Sequence, residues 1–265
     1  MSPGVQESMC LVGMDETFRN GERLMKQLAG VDVDDETIRK RSEAMGALVE
    51  KENKVEEERY DWEKRTEEIP QEQLPASKYL YVSADGAKVH LIEDGWTEVR
   101  SGVVFDARIK EGKPVRETTT YVGSFEESHV FMKRLYAESY KRGVDKAEKV
   151  AVLGDGAQWI WNEADTHYPS AQHILDYYHG AERIWAIGAL LYGEGDPAVK
   201  RFTKPYTTCL KKSQVETIIG KLKRIKSKSK KTKETIGKAI VYYQNNKDKM
   251  RYATYKRKGY FIGSG

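Results

Sequence analysis

The run Lys149-Val150-Ala151-Val152-Leu153-Gly154-Asp155-Gly156 decides how this chain is read. Four apolar residues follow one another with no polar alternation and stop at a Gly-Asp-Gly turn. A short continuous apolar run bounded in this way predicts a central strand buried on both faces. Upstream of it, residues 125–141 read as a helix, and before that the period falls to two. Leu80, Val82 and Ala84 face one way while Tyr79, Tyr81 and Ser83 face the other, which predicts a strand. Two further strands are expected over 98–109, through Val99, Val103, Val104 and Phe105, and over 117–122. Turn-prone joints at Asp94-Gly95 and at Glu111-Gly112-Lys113-Pro114 separate the three into an antiparallel meander. Downstream, a short helix over 159–164 leads to a fifth strand over 171–177.

Three meander strands, a helix, a strand, a helix and a strand give the element order of an RNase H-like α/β fold with a mixed sheet. The flanks are helical. In residues 1–75 the apolar positions Phe18, Leu24, Leu28 and Val31 lead to Asp34-Asp35-Glu36-Thr37, where an Asp precedes an acidic first turn as a helix start prefers. Helix, turn near Gly30, and a second helix carrying Arg39, Lys40 and Arg41 outline a helix-turn-helix, with Arg39 and Arg41 as its DNA-binding candidates and a helical pair docked on the core as the plain alternative. A charged helix over 44–68 follows, closed by Pro70 and Pro75. Beyond the catalytic-core candidate, residues 76–195, a basic all-α insertion is expected over 196–250. Val215, Ile218, Ile219, Leu222 and Ile225 share one helical face there, as do Ile236, Ala239, Ile240 and Tyr243. Between them the basic Ser/Thr stretch from Lys226 to Lys233 predicts a flexible loop. Residues 251–265 return to the core.

Composition narrows the class. Of 265 residues, 39% are hydrophobic and 32% charged, which excludes a wholly disordered chain. No apolar stretch approaches the roughly 20 residues needed to span a bilayer, no basic-then-apolar leader opens the sequence, and two cysteines form no metal or disulfide pattern. A cytoplasmic protein without a membrane role is expected. The formal net charge is +4, but it is unevenly spread. Residues 1–75 hold 11 Lys+Arg against 19 Asp+Glu, whereas residues 196–265 hold 20 against 4. A polyanion is the natural partner of the last quarter, with Lys221, Lys223, Arg224, Lys226, Lys228, Lys230, Lys231 and Lys233 as its contacts.

Two aspartates lie where this fold can do chemistry. Asp85 follows the first strand and Asp155 ends the buried one, each with a Gly after it that would let backbone and substrate approach closely. Carboxylates on neighbouring strand ends can share divalent metals at a phosphodiester, and oxygen ligands suit Mg²⁺. Taken singly, an Asp-Gly pair is as often an ordinary turn, as Asp94-Gly95 is. Asp176 and His179, three apart, read either as a cap and a surface histidine or as a pair near DNA. Trp159, Trp161 and Trp185 read as packing residues, and Glu182 as a helix-surface carboxylate.

Several blocks, in order, resemble the ISKra-type bacterial insertion-sequence transposases. They are Tyr81-Val82-Ser83-Ala84-Asp85-Gly86, Leu153-Gly154-Asp155-Gly156-Ala157-Gln158-Trp159-Ile160-Trp161, and Ile174-Leu175-Asp176-Tyr177-Tyr178-His179-Gly180-Ala181-Glu182. Asn246 to Tyr252 and Gly259 to Gly265 are similar to the same family's last blocks. The resemblance implies a DDE transposase in which Asp85 and Asp155 are the first two acids and metal ligands. Asp176 and His179 would form an accessory D-x-x-H element, and two Mg²⁺ or Mn²⁺ ions would be bound. It also implies DNA as partner, a homo-oligomer on DNA, and a third acid, a glutamate, just beyond Gly263-Ser264-Gly265. That acid is absent from this chain, so impaired strand transfer is expected.

Overall fold

In the computed structural model, residues 1–59, 79–92, 94–111 and 113–263 are described, and the chain divides into two compact units, Met1–Arg65 and Thr66–Gly265. The first unit is three helices: α1 (Pro3–Asp15), α2 (Phe18–Ala29) and α3 (Asp35–Arg59). Each start has a side-chain cap. Ser2 and Thr17 accept from backbone N–H groups of α1 and α2, and the Asp34 carboxylate accepts from Thr37 N–H at 2.7 Å ahead of Asp35 and Glu36. Gly30, with φ +64°, ends α2 in the left-handed region. Met9, Met25 and Ile38 form the core, with Val5, Val12, Phe18, Val31 and Val33 packed around it. Leu28, part of the expected apolar series, is instead 82% exposed, because the buried side of α2 runs through Gly21 and Met25. The expected second helix and charged helix are one continuous α3. The remainder of the latter, with Pro70 and Pro75, lies outside the described residues.

The second unit is built on a five-stranded mixed sheet of order β3-β2-β1-β4-β5. Its strands are β1 (Tyr79–Leu91), β2 (Gly95–Lys110), β3 (Lys113–Ser124), β4 (Lys149–Gly154) and β5 (Gln172–Leu175). β1, β2 and β3 are antiparallel neighbours, while β4 runs parallel to β1 and β5 parallel to β4. Two helices, α4 (Ser128–Lys141) and α5 (Gln158–His167), make the crossings. Gly102 and Gly154, both in register with Ala84, turn toward them. A Cβ would meet Leu135 at 2.6 Å and Phe131 at 3.0 Å from Gly102, and Ile160 at 2.9 Å from Gly154. The opposite face of β1 carries Tyr81, where Tyr260 and Phe261 lie edge-on to its ring.

The helical remainder comprises α6 (Tyr177–Tyr192), α7 (Pro197–Lys211), α8 (Val215–Lys223), α9 (Lys230–Asn246) and α10 (Tyr252–Arg257). α8 buries Val215, Ile218 and Leu222, and α9 buries Ile236, Ala239 and Tyr243, the faces that the helical spacing picks out. Three expectations need correction. The fifth strand ends at Leu175, because Asp176 caps α6 and Tyr177 already belongs to the helix. The basic stretch from Lys226 to Lys233 is loop only through Ser229, whose hydroxyl accepts from Thr232 N–H at 3.3 Å and starts α9. Trp185 is 43% exposed, whereas Trp161 packs at 3%.

His173 on β5 gives one pH-dependent contact. It stacks on Trp161 with ring centroids 5.8 Å apart, and its Nε2 is buried without a hydrogen bond. Burial lowers its pKa below the ordinary 6.5, Asp165 opposes that shift and Lys249 adds to it. The folded state thus prefers neutral imidazole. Its stabilising contribution is complete above pH 6.5 and is lost as pH falls through the folded value. His173→Phe keeps the stacking and removes the titration, so its urea midpoint should fall less between pH 7.5 and pH 5.5 than that of the native chain. Equal falls in the two proteins would refute this assignment.

Candidate active site

The site lies where β1, β4 and β5 run side by side. Ala84 pairs with Gly154 and Gly154 with Leu175, and the residue that follows each is an aspartate: Asp85 within β1, and Asp155 and Asp176 just past β4 and β5. Parallel neighbours lie about 4.8 Å apart, so register alone brings the three backbones together. The Asp176 N–H donates to the Gly154 carbonyl at 2.8 Å, closing β5 against the end of β4. Along β1, alternation puts Asp85 on the face of Tyr81 and Ser83, where the C-terminal segment passes. The Tyr79 hydroxyl donates to the Lys258 carbonyl at 2.9 Å, Phe261 N–H donates to the Tyr81 hydroxyl at 3.1 Å, and Tyr177 N–H donates to the Ile262 carbonyl at 2.7 Å.

The three carboxylates differ in surroundings. Asp85 is exposed and accepts from the next residue's N–H, that of Gly86, at 2.8 Å. Asp155 is half-buried and accepts from Ala157 N–H at 2.8 Å, a turn that Gly156 completes at φ +103°. Asp176, 3% exposed, accepts from Tyr178 N–H at 2.7 Å and His179 N–H at 3.2 Å as the cap of α6. His179 Nδ1 stands 3.7 Å from that same carboxylate oxygen, within ion-pair reach once the ring is protonated. Room beside Gly86 is taken by the Glu98 carboxylate, 3.0 Å from where a Cβ would stand. That glycine serves packing more than substrate approach.

Two residues that the sequence reading passed over hold this corner together. Tyr242 on α9 donates its hydroxyl to the Asp155 carbonyl at 2.6 Å, and its ring fills the space over Gly156, 2.7 Å from a Cβ position. Arg183 on α6 lies over the Tyr242 ring at 4.8 Å. Burial drives the Tyr242 pKa well above its ordinary value, Arg183 opposes, and Asp155 and Asp176 add to the rise. The phenol therefore stays a donor. Arg183 carried a readable signal, since it falls four residues after His179 on one helix face. The contact with Tyr242 carried none.

Among the described residues no three His, Cys, Asp or Glu side chains form a group able to hold a metal ion. Asp85 and Asp155 are nonetheless hard oxygen donors, each engaged in the described contacts by a neighbouring N–H through one oxygen only. That donor set fits Mg²⁺, which keeps several waters and takes one or two carboxylates.

The basic candidates divide. Lys223, Arg224, Lys226, Lys228, Lys230, Lys231 and Lys233 are exposed, and no ion pair involves them among the described residues. Lys230, Lys231 and Lys233 occupy the first turn of α9, where the helix dipole disfavours cations. Lys221 is partly committed to packing, 5.6 Å over the Tyr206 ring. In the first unit, Arg39 bridges Glu36 at 2.7 Å and Glu43 at 2.8 Å, while Arg41 is half-buried. Glu36 is accordingly held at a pKa of about 2 by the Arg39 hydrogen bonds, with burial opposing. No helix among the described residues is long and apolar enough to cross a membrane. No protein-family model matches the chain, and no curated protein matches it.

Proposed function

We propose that this chain carries the RNase H-like core of a DDE-type transposase and acts on DNA by metal-dependent phosphoryl transfer. The observation that carries the reading is the pairing of Ala84 with Gly154, after which Asp85 and Asp155 are the next residues of two adjacent parallel segments. The strand order β3-β2-β1-β4-β5, three antiparallel and two parallel, supports it. Asp85 and Asp155 would hold the divalent cations, Mg²⁺ or Mn²⁺. Bound there, such ions supply activation of the attacking oxygen and stabilisation of the leaving one. The chain's own residues do the rest. Asp155 is fixed by its turn and by Tyr242, Asp176 orients the first turn of α6, and His179 stands at that turn 3.7 Å from the Asp176 carboxylate.

Seven exposed cations along α8, the following loop and the start of α9 would grip backbone phosphate without reading sequence. A polyanion there offsets the clash of Lys230, Lys231 and Lys233 with the α9 dipole. Replacing those three by Gln should weaken DNA binding about tenfold near physiological salt and lower the log-affinity against log-salt slope by about 2 to 3. An unchanged slope, read by anisotropy, would move DNA off this surface. A homo-oligomer on DNA belongs to the same reading.

A second reading is a DNA-binding remnant without catalysis. The seven exposed cations of α8, the loop and α9 favour it, since they can bind backbone phosphate without any catalytic carboxylate. Purified chain incubated with Mn²⁺ and labelled DNA from either side of its coding region separates the two. Nicking supports the transferase, binding without nicking supports the remnant, and cleavage confined to RNA hybrids or branched junctions would indicate a nuclease of the same fold.

A further inference from the structure

We propose that Arg183 binds a substrate phosphodiester at the strand tips, and that Tyr242 is the positioning residue that holds it there. This rests on the nucleic-acid reading above and adds a ligand contact to the same site.

Arg183 is exposed, and its guanidinium lies 4.8 Å from the centre of the Tyr242 ring. It forms no ion pair among the described residues, although α6 begins at an aspartate and Glu182 is its neighbour. The ring beneath it is not loosely placed. Its hydroxyl is tied to the Asp155 carbonyl at 2.6 Å, and its edge fills the gap over Gly156. Arg183 is thereby referred to Asp155 through one rigid aromatic side chain. His179 lies one turn earlier on the same face of α6 and faces the Asp176 carboxylate at 3.7 Å.

Charge explains why a cation belongs here. Asp155 and Asp176, just past β4 and β5 and both acting on Tyr242, put negative charge at this corner and repel an incoming phosphodiester. An exposed guanidinium at their margin offers parallel donors matched to phosphate oxygens. Resting over an aromatic face, it loses little freedom on binding. Were Arg183 only a cover for Tyr242, its charge would have no bearing on DNA affinity, and that difference can be measured.

The test is anisotropy of a short labelled duplex with the full chain in chelator, between about 50 and 200 mM salt. Arg183→Ala should weaken binding about fivefold and lower the log-affinity against log-salt slope by about 1. Arg183→Lys should keep the native slope. Tyr242→Leu, which removes the platform and leaves the arginine, should resemble Arg183→Ala, while Tyr242→Phe should retain most of the affinity. Native affinity and slope in Arg183→Ala overturn the inference, as does loss of slope in Arg183→Lys. Failure of the unmodified chain to bind DNA at all sinks the nucleic-acid reading itself, a distinct outcome.

Discussion

Asp155→Asn and Asp85→Asn are each expected to abolish Mn²⁺-dependent nicking while leaving DNA binding in chelator at or above its native strength. Asparagine keeps the oxygen that accepts from Ala157 N–H at 2.8 Å, so the turn after β4 survives the change. What is lost is the negative donor. Mutating a mere outer-shell partner of a metal ligand costs about 10–100-fold, so loss of a ligand should exceed 100-fold. Removing one negative charge from a site that must approach phosphate cannot weaken metal-free binding. Asp176→Asn gives the contrast. Its carboxylate caps α6 from a buried position, and the amide can cap as well, so nicking should fall far less than in either strand variant. Native rates in both Asp155→Asn and Asp85→Asn would leave the strand pairing without chemical meaning.

The legible parts of the fold are those whose signal is local. The apolar run before Gly154 becomes β4, and the alternation from Tyr79 to Ala84 becomes the half of β1 that is buried. Beyond Ala84 the same strand continues to Leu91 as an exposed ribbon paired with β2. Asp85-Gly86 and Lys88 look like a turn, and only cross-strand hydrogen bonds make them a strand. The end of β5 misled for a similar reason. Ile174, Leu175 and Tyr177 form an apolar series, but the capping bonds of Asp176 to Tyr178 and His179 claim Tyr177 for α6. α7 holds Pro205 inside it, a residue that argues against a helix interior from sequence alone. At the site, Asp155 was readable because it directly follows a recognisable strand, whereas Asp85, expected to follow the first strand, lies within β1 and pairs with Ser101. Tyr242 was not, since it meets Asp155 across 87 positions of chain and lies beside Tyr243, which takes the buried face.

Tyr81→Ala is expected to destabilise the second unit by about 3–5 kcal/mol, the range for deleting a large aromatic from a packed core. Tyr81 is fully buried and stacks on Phe105 with centroids 4.8 Å apart and planes 6° from parallel. Phe261 meets its ring edge-on at 5.4 Å and Tyr260 at 6.4 Å. The cavity left by alanine would open between β1, β2 and the C-terminal segment, under the Phe105, Tyr260 and Phe261 rings. Tyr81→Phe isolates the polar part. It keeps the stack and strips Phe261 N–H of its acceptor, a loss of about 1 kcal/mol. Both variants should reach the site, because the segment anchored at Tyr81 continues to Ile262, whose carbonyl accepts from Tyr177 N–H, and to Gly263 beside Tyr178 and Asp176. Denaturant midpoints should therefore fall in the order native, Tyr81→Phe, Tyr81→Ala, and amide exchange at Tyr177 should quicken in the same order. A Tyr81→Ala protein with a native midpoint would show that this segment does not close the face of β1 on which Asp85 lies.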